Sequence, residues 1–266
     1  MTMREWICGG ILVGSLVGAS PAMAFTLGAA NSSQLGWSTR TVTFNYNFTD
    51  CGVDVSRMKT ALSMAIKLYN SVPTSFVTLK MGAAVTTTIP QGDSKIIAKT
   101  AGSPEIICSN TFGADLGLDD NVVAGSTSFF TNSTSHIAYA YVGLNGDSGA
   151  HASMQNIDTE VGIQGIAVAM AHEMGHSLGL GHSPDPQALM YFDTSAKTEL
   201  RLSQDDIDGI TYLYPRDEFG GSGVFGCGTI RLDGGGGSGG PGGFAAWWTM
   251  MILAWGLTRI RARRMA

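Results

Sequence analysis

The residues best suited to chemistry stand in one short string: His172, Glu173, Met174, Gly175, His176, Ser177, Leu178, Gly179, Leu180, Gly181 and His182. On a helix, positions four apart project from the same face, so His172 and His176 can reach one metal ion together. A third ligand further along that helix would point elsewhere. Gly179 offers an exit through a left-handed residue, after which the chain can turn and bring His182 in from below. Three neutral imidazoles around Zn2+ leave the fourth position for water, as a catalytic site requires. Glu173 adjoins the first ligand without being one. It is placed to act as general base toward the zinc-bound water during attack on a carbonyl, then to pass the proton to a leaving amine. A purely structural site would close with a fourth ligand and would have no use for Glu173.

These residues need a rigid frame, and the periodicity around them supplies one. Residues 161–180 read as a long apolar helix carrying the first two histidines. Residues 55–69 place Met58, Ala61, Leu62, Ala65, Ile66 and Tyr69 at helical spacing, with Pro73 shortly after the expected end. Residues 203–214 form a last short helix, with Ser203 as N-cap and Asp205 and Asp206 in the first turn. Strand patterns occupy residues 39–48, 76–81, 94–98, 122–130 and 137–144, the last ending at the Asn145-Gly146 turn signal. Residues 25–216 are therefore expected to form one α/β (α+β) domain. No internal repeat or heptad run is present.

The ends differ in composition from this domain. The chain has 266 residues, a net charge of −5 and 14% charged residues, with no basic footprint for nucleic acid. Residues 1–24 read as a signal peptide: Arg4, an apolar run over residues 7–17, then Ala22-Met23-Ala24 as the cleavage site. A membrane anchor or a buried first helix is the alternative, and Cys8 makes a lipoprotein a weaker rival. Export implies an oxidising compartment, where cysteines pair. A Cys51–Cys108 disulfide is expected because both lie in the folded part, while Cys227 lies beyond it and has no assigned role. Three free thiols are the alternative. Residues 217–243 form a Gly/Ser-rich linker. Residues 244–266 combine an apolar stretch containing Trp247, Trp248, Met251 and Trp255 with Arg259, Arg261, Arg263 and Arg264. They read as a short membrane span with a basic cytoplasmic end. An amphipathic or buried helix is the alternative.

The eleven-residue zinc string matches the metzincin signature, and the residues after it resemble the matrixin branch. Residues 183–191, Ser-Pro-Asp-Pro-Gln-Ala-Leu-Met-Tyr, resemble the segment running into the matrixin Met-turn, with Met190 beneath the zinc ligands. Residues 202–214 resemble the family's C-terminal helix, and residues 69–76 echo the end of its first helix. The resemblance implies a metzincin fold, a twisted mixed sheet with a long active-site helix and a C-terminal helix. It also implies a zinc-dependent endopeptidase acting on protein or peptide substrates. In such clefts an extended peptide pairs with an edge strand. Residues 122–128, including Val123 and Gly125, are the expected edge, and residues 189–192, including Leu189 and Tyr191, the expected wall of the pocket after the cut. They could equally belong to the core. The resemblance further implies that a free ammonium on Phe25 pairs with Asp205, or failing that with Asp206.

Several features depart from the family. Neither a cysteine switch with its propeptide nor a haemopexin-like domain is expected, since no matching motif is read in residues 1–24 or 217–266. The structural zinc and calcium loop is not recognisable. His136 and His151 lack its spacing and read as ordinary surface or core histidines. Asp115, Asp119 and Asp120 could bind Ca2+ through hard oxygens, or form a solvated acidic loop. Phe192 stands where some relatives carry a zinc-reaching tyrosine. The tail resembles the bacterial GlyGly-CTERM sorting signal, which implies a rhomboid-type sorting protease and a location at the bacterial envelope or surface, or secretion after processing. A simple anchor is the alternative. Two rival functions stand beside the endopeptidase: a non-catalytic surface metal-binding or adhesion module, and a membrane-embedded zinc protease, which the third histidine and strand-rich domain oppose.

Overall fold

A computed structural model of the protein describes residues 25–28, 35–89 and 102–216. The export segment, the strand expected at 94–98, the linker, the apolar span with its basic end, and Cys227 all lie outside the described residues. Among the described residues no helix is long and apolar enough to cross a membrane.

Six strands make one mixed sheet: β1 (Leu35–Trp37), β2 (Thr41–Asn47), β3 (Thr78–Ala84), β4 (Glu105–Ser109), β5 (Gly125–Thr131) and β6 (His136–Asn145). The path β3-β2-β4-β6 is parallel throughout. The short β1 also runs parallel to β6, at its start, and β5 runs antiparallel along it from Gly125 opposite Leu144. Among the described residues, five helices accompany the sheet: α1 (Val55–Asn70), α2 (Phe112–Leu116), α3 (Met154–Glu160), α4 (Ile163–Leu178) and α5 (Gln204–Leu213).

Local chemistry sets the helix ends. The Asp54 side chain accepts the N–H groups of Ser56 and Arg57 and starts α1, which buries the six positions expected from its spacing. Ser203 caps α5 in a reciprocal capping box with Asp206. Gly179, at φ +107°, ends α4 in the left-handed region, where a side chain would be strained.

The main core lies between the sheet, α1 and α4. It joins Val42, Phe44, Met58, Leu62, Ile106, Val142, Met170 and Met174, among others. A smaller cluster of Ile89, Ile107, Phe112, Tyr139 and Tyr141 covers the opposite face. The central β4 is buried at all five positions: Ile106 and Cys108 enter the main core, while Ile107 enters the smaller one. That double burial explains why β4 shows no alternating pattern in the sequence. The structure joins Cys51 to Cys108, as expected, with Cα atoms 5.0 Å apart.

Candidate active site

Helix α4 enters the core with nearly every residue buried, and its last two turns carry His172, Glu173 and His176. The turn at Gly179 then returns the chain toward them. This turn is bracketed by the N-terminal segment: Gly28 N–H donates to the Gly179 carbonyl and Gly181 N–H to the Thr26 carbonyl, both at 2.8 Å. The Thr26 hydroxyl donates to the His182 carbonyl at 2.6 Å.

The three imidazoles converge. His176 Nε2 lies 3.1 Å from His172 Nε2 and 3.3 Å from His182 Nε2. His172 Nδ1 is 2.8 Å from the Leu189 carbonyl and His176 Nδ1 is 2.8 Å from the Leu180 carbonyl. A carbonyl can only accept, so both Nδ1 atoms carry the proton and both Nε2 atoms present lone pairs. Burial pushes His172 down to about 4 and His176 to about 3, and lowers His182 as well, which keeps the rings neutral. Bare lone pairs at this separation repel unless a cation lies among them. A tetrahedral ion with arms of about 2.0–2.1 Å has edges of roughly 3.3–3.4 Å, close to the two spacings that His176 makes, and all three donors lie within 4.8 Å of one another, so the set suits zinc. Among the described residues this is the one cluster of three groups able to hold a metal ion. His136, His151, Asp115, Asp119 and Asp120 do not join it or form another.

Met190 packs against the ligand-bearing helix at Gly175. It is 2% exposed, and its Sδ would come within 2.3 Å of a Cβ at Gly175, one turn of α4. Asp206 holds this turn from α5. Its carboxylate accepts from the backbone N–H of Leu189 (2.7 Å), Met190 (3.0 Å) and Ser203 (2.7 Å), and from the Ser203 hydroxyl (2.9 Å). The same carboxylate therefore caps a helix and fixes the carbonyl of Leu189 that orients His172.

Glu173 is 7% exposed. Its Oε2 accepts from the Thr127 hydroxyl on β5 at 2.7 Å. Burial raises its pKa to about 7, with the Thr127 hydrogen bond acting in the opposite direction. Gly125 lies against the same side chain: a Cβ there would stand 2.7 Å from Glu173 Cγ and 3.0 Å from Oε1.

The other sequence-predicted residues are placed less uniformly. The edge strand begins at Gly125, three residues later than the expected start at residue 122. The cause is a turn in which the Asp119 carbonyl accepts the N–H groups of Val122 and Val123. Val123 packs instead on the smaller cluster, and its carbonyl accepts from Asn145 Nδ2 at 3.1 Å. The Leu189 side chain is 1% exposed in the main core, so it serves the site through its carbonyl. Tyr191 is half-buried and borders a recess of about 380 Å³ with Asp193, Lys197 and Arg201. Sequence reasoning does not find Thr127, Thr26 or the role of Asp206 in holding the Leu189–Met190 backbone. A signal for Thr127 exists: two residues beyond Gly125, it shares its face of the strand.

Comparison with known proteins gives the same direction. The matrixin family profile matches residues 36–215. Human matrilysin is 42% identical over 87 residues, covering 31% of this chain and 32% of that protein. Rat stromelysin-1 is 45% identical over 84 residues, covering 29% and 18%. Human neutrophil collagenase is 40% identical over 95 residues, covering 34% and 20%. The chain thus spans about a third or less of the length of these relatives.

Proposed function

The chain belongs to the matrixin family, and from that premise we propose that it is a zinc-dependent endopeptidase hydrolysing peptide bonds of extracellular or envelope proteins. One observation carries this reading: three imidazoles converge next to a buried carboxylate, with His176 Nε2 3.1 Å from His172 Nε2 and 3.3 Å from His182 Nε2. His172, His176 and His182 would hold the zinc. The bound ion supplies an open position and Lewis-acid polarisation of water and of the scissile carbonyl. Glu173 takes the proton of the attacking water and delivers it to the leaving amine. An affinity near neutrality suits it to do both.

The strand facing the site is suited to bind substrate. Among the described residues β5 pairs with β6 alone, so its other edge offers backbone groups to an extended peptide. Casein or gelatin cleavage by the zinc-loaded protein tests the reading. It predicts loss of cleavage on chelation and in Glu173→Ala, by about 100- to 10,000-fold for the missing base. Full cleavage by Glu173→Ala would overturn it, and zinc binding without any cleavage would favour the metal-binding surface module.

Export would complete the active form. Both oxygens of the Asp205 carboxylate are buried without a hydrogen-bond partner among the described residues, whereas Asp206 is fully engaged. Phe25 already packs over the same helix, its ring 5.3 Å from that of Tyr212. Cleavage after Ala24 would free an ammonium at Phe25 to neutralise Asp205. A mature protein starting one residue early should lose about 3 kcal/mol of stability, because a buried charge keeps no partner. Equal melting temperatures would exclude the pairing. The C-terminal tail is proposed to serve surface sorting or anchoring.

A further inference from the structure

We propose that Thr127 on β5, seated beside Gly125, is the positioning residue for Glu173. Strand alternation puts Gly125, Thr127 and Phe129 on the face toward α4. Phe130 points the other way and stacks on Tyr139 with ring centroids 6.4 Å apart. The Thr127 hydroxyl has one proton and two acceptors in reach, Glu173 Oε2 at 2.7 Å and the Glu173 carbonyl at 3.0 Å. The shorter contact goes to the carboxylate, and donation to an ionised oxygen is the stronger of the two. Oε2 is thereby taken up by the strand.

Oε1 is left for the reacting water. On its side the space toward β5 is closed by bare backbone, since even a methyl at Gly125 would stand 3.0 Å from Oε1 and 2.7 Å from Cγ. The carboxylate is held by a hydroxyl and confined by a glycine two residues apart on one strand. Neither contact comes from α4 itself. The register that fixes both is the pairing of Gly125 with Leu144 and Thr127 with Val142. The strand whose free edge is proposed to seat the peptide therefore also aims the base, so substrate alignment and base alignment share one element.

This inference rests on the endopeptidase reading, and the test separates the two. Kinetics and zinc content of the full-length protein would be compared for the parent, Thr127→Val and Thr127→Ser, with crystal structures of parent and Thr127→Val in metal-free form. Thr127→Val should keep one zinc per chain and a KM within about twofold. Its kcat should fall about 10- to 100-fold, the weight of one charge-assisted hydrogen bond that orients a reacting group. Thr127→Ser should recover most of the loss. In the metal-free crystals Glu173 should keep one orientation in the parent and lose it in Thr127→Val. Parental kcat in Thr127→Val, failure of Thr127→Ser to recover activity, loss of zinc, or an unmoved Glu173 would each overturn the proposal. If valine prevents folding, Thr127→Ala makes the same comparison under the same criteria. An inactive parent would defeat the endopeptidase reading, and the crystallographic comparison would still decide the role of Thr127.

Discussion

Helix α4 is buried at thirteen of its sixteen positions and mostly apolar, whereas β5, which faces it, is half-buried at six of seven and rich in Ser and Thr. The helix carries two of the proposed metal ligands and the proposed base in one contiguous stretch. The strand supplies a hydroxyl and a gap, Thr127 and Gly125, and keeps one edge unpaired among the described residues. The difference separates two tasks. Ligands must be rigid, so they sit on an element locked by the core on all sides. The surface that receives a flexible peptide must stay open, so it sits at the sheet margin.

Changes on the helix side should have the largest effect. His176→Ala removes the ligand central to both close imidazole contacts. It should abolish both stoichiometric zinc binding and cleavage, measured by metal analysis and peptide hydrolysis. Removing the scaffold behind the strand should act on stability alone. Cys51→Ser opens a link across 57 residues and should cost about 4 kcal/mol in denaturant unfolding, with kcat unchanged. A matching fall in kcat would mean that the sheet transmits strain to β5 more readily than the comparison allows.

Smaller effects sharpen the contrast. Asp206→Asn keeps one acceptor oxygen of the two that hold the Met-turn and the α5 cap. It should cost about 2–3 kcal/mol and weaken zinc retention, because the Leu189 carbonyl orients His172. Glu173→Gln should inactivate the protein yet stabilise its metal-free form. The Glu173 carboxyl has a folded pKa of about 7 against an ordinary value of 4.5. The folded state thus binds the proton more tightly, and ionised burial is penalised fully above pH 7. The gain from Gln should approach about 3 kcal/mol well above pH 7, shrink as pH falls, and vanish near 4.5. A gain that grew toward acid would show that burial does not set this group's affinity.

Much of the frame is legible in the sequence. The α1 stripe, the Ser203 cap of α5, the alternation of β2 and β6 and the exit at Gly179 depend on residues within a turn or two of each other. Local physics is enough for them. The strand β4, with Glu-Ile-Ile-Cys-Ser buried on both faces, shows no period at all, and β1 is only three residues long. The short polar helix α3 also escapes sequence reasoning, as its Met-Gln-Asn-Ile-Asp-Thr-Glu run carries one fully buried residue.

The candidate site divides along the same line. The sequence by itself laid out the candidate chemistry: His172 and His176 share a helical face with Glu173 beside the first, and Gly179 lets His182 return, because those relations are set by covalent distance along one helix and one turn. Tertiary structure decided which oxygen of Glu173 is held and by what, since Thr127 meets it across 46 residues of chain only through the β5–β6 register. It also separated two adjacent aspartates that look alike in sequence. Asp206 faces the Met-turn amides, while Asp205 turns into the interior with no donor among the described residues. One helical step of roughly 100° sets their directions, but only the packing around α5 decides what each direction meets.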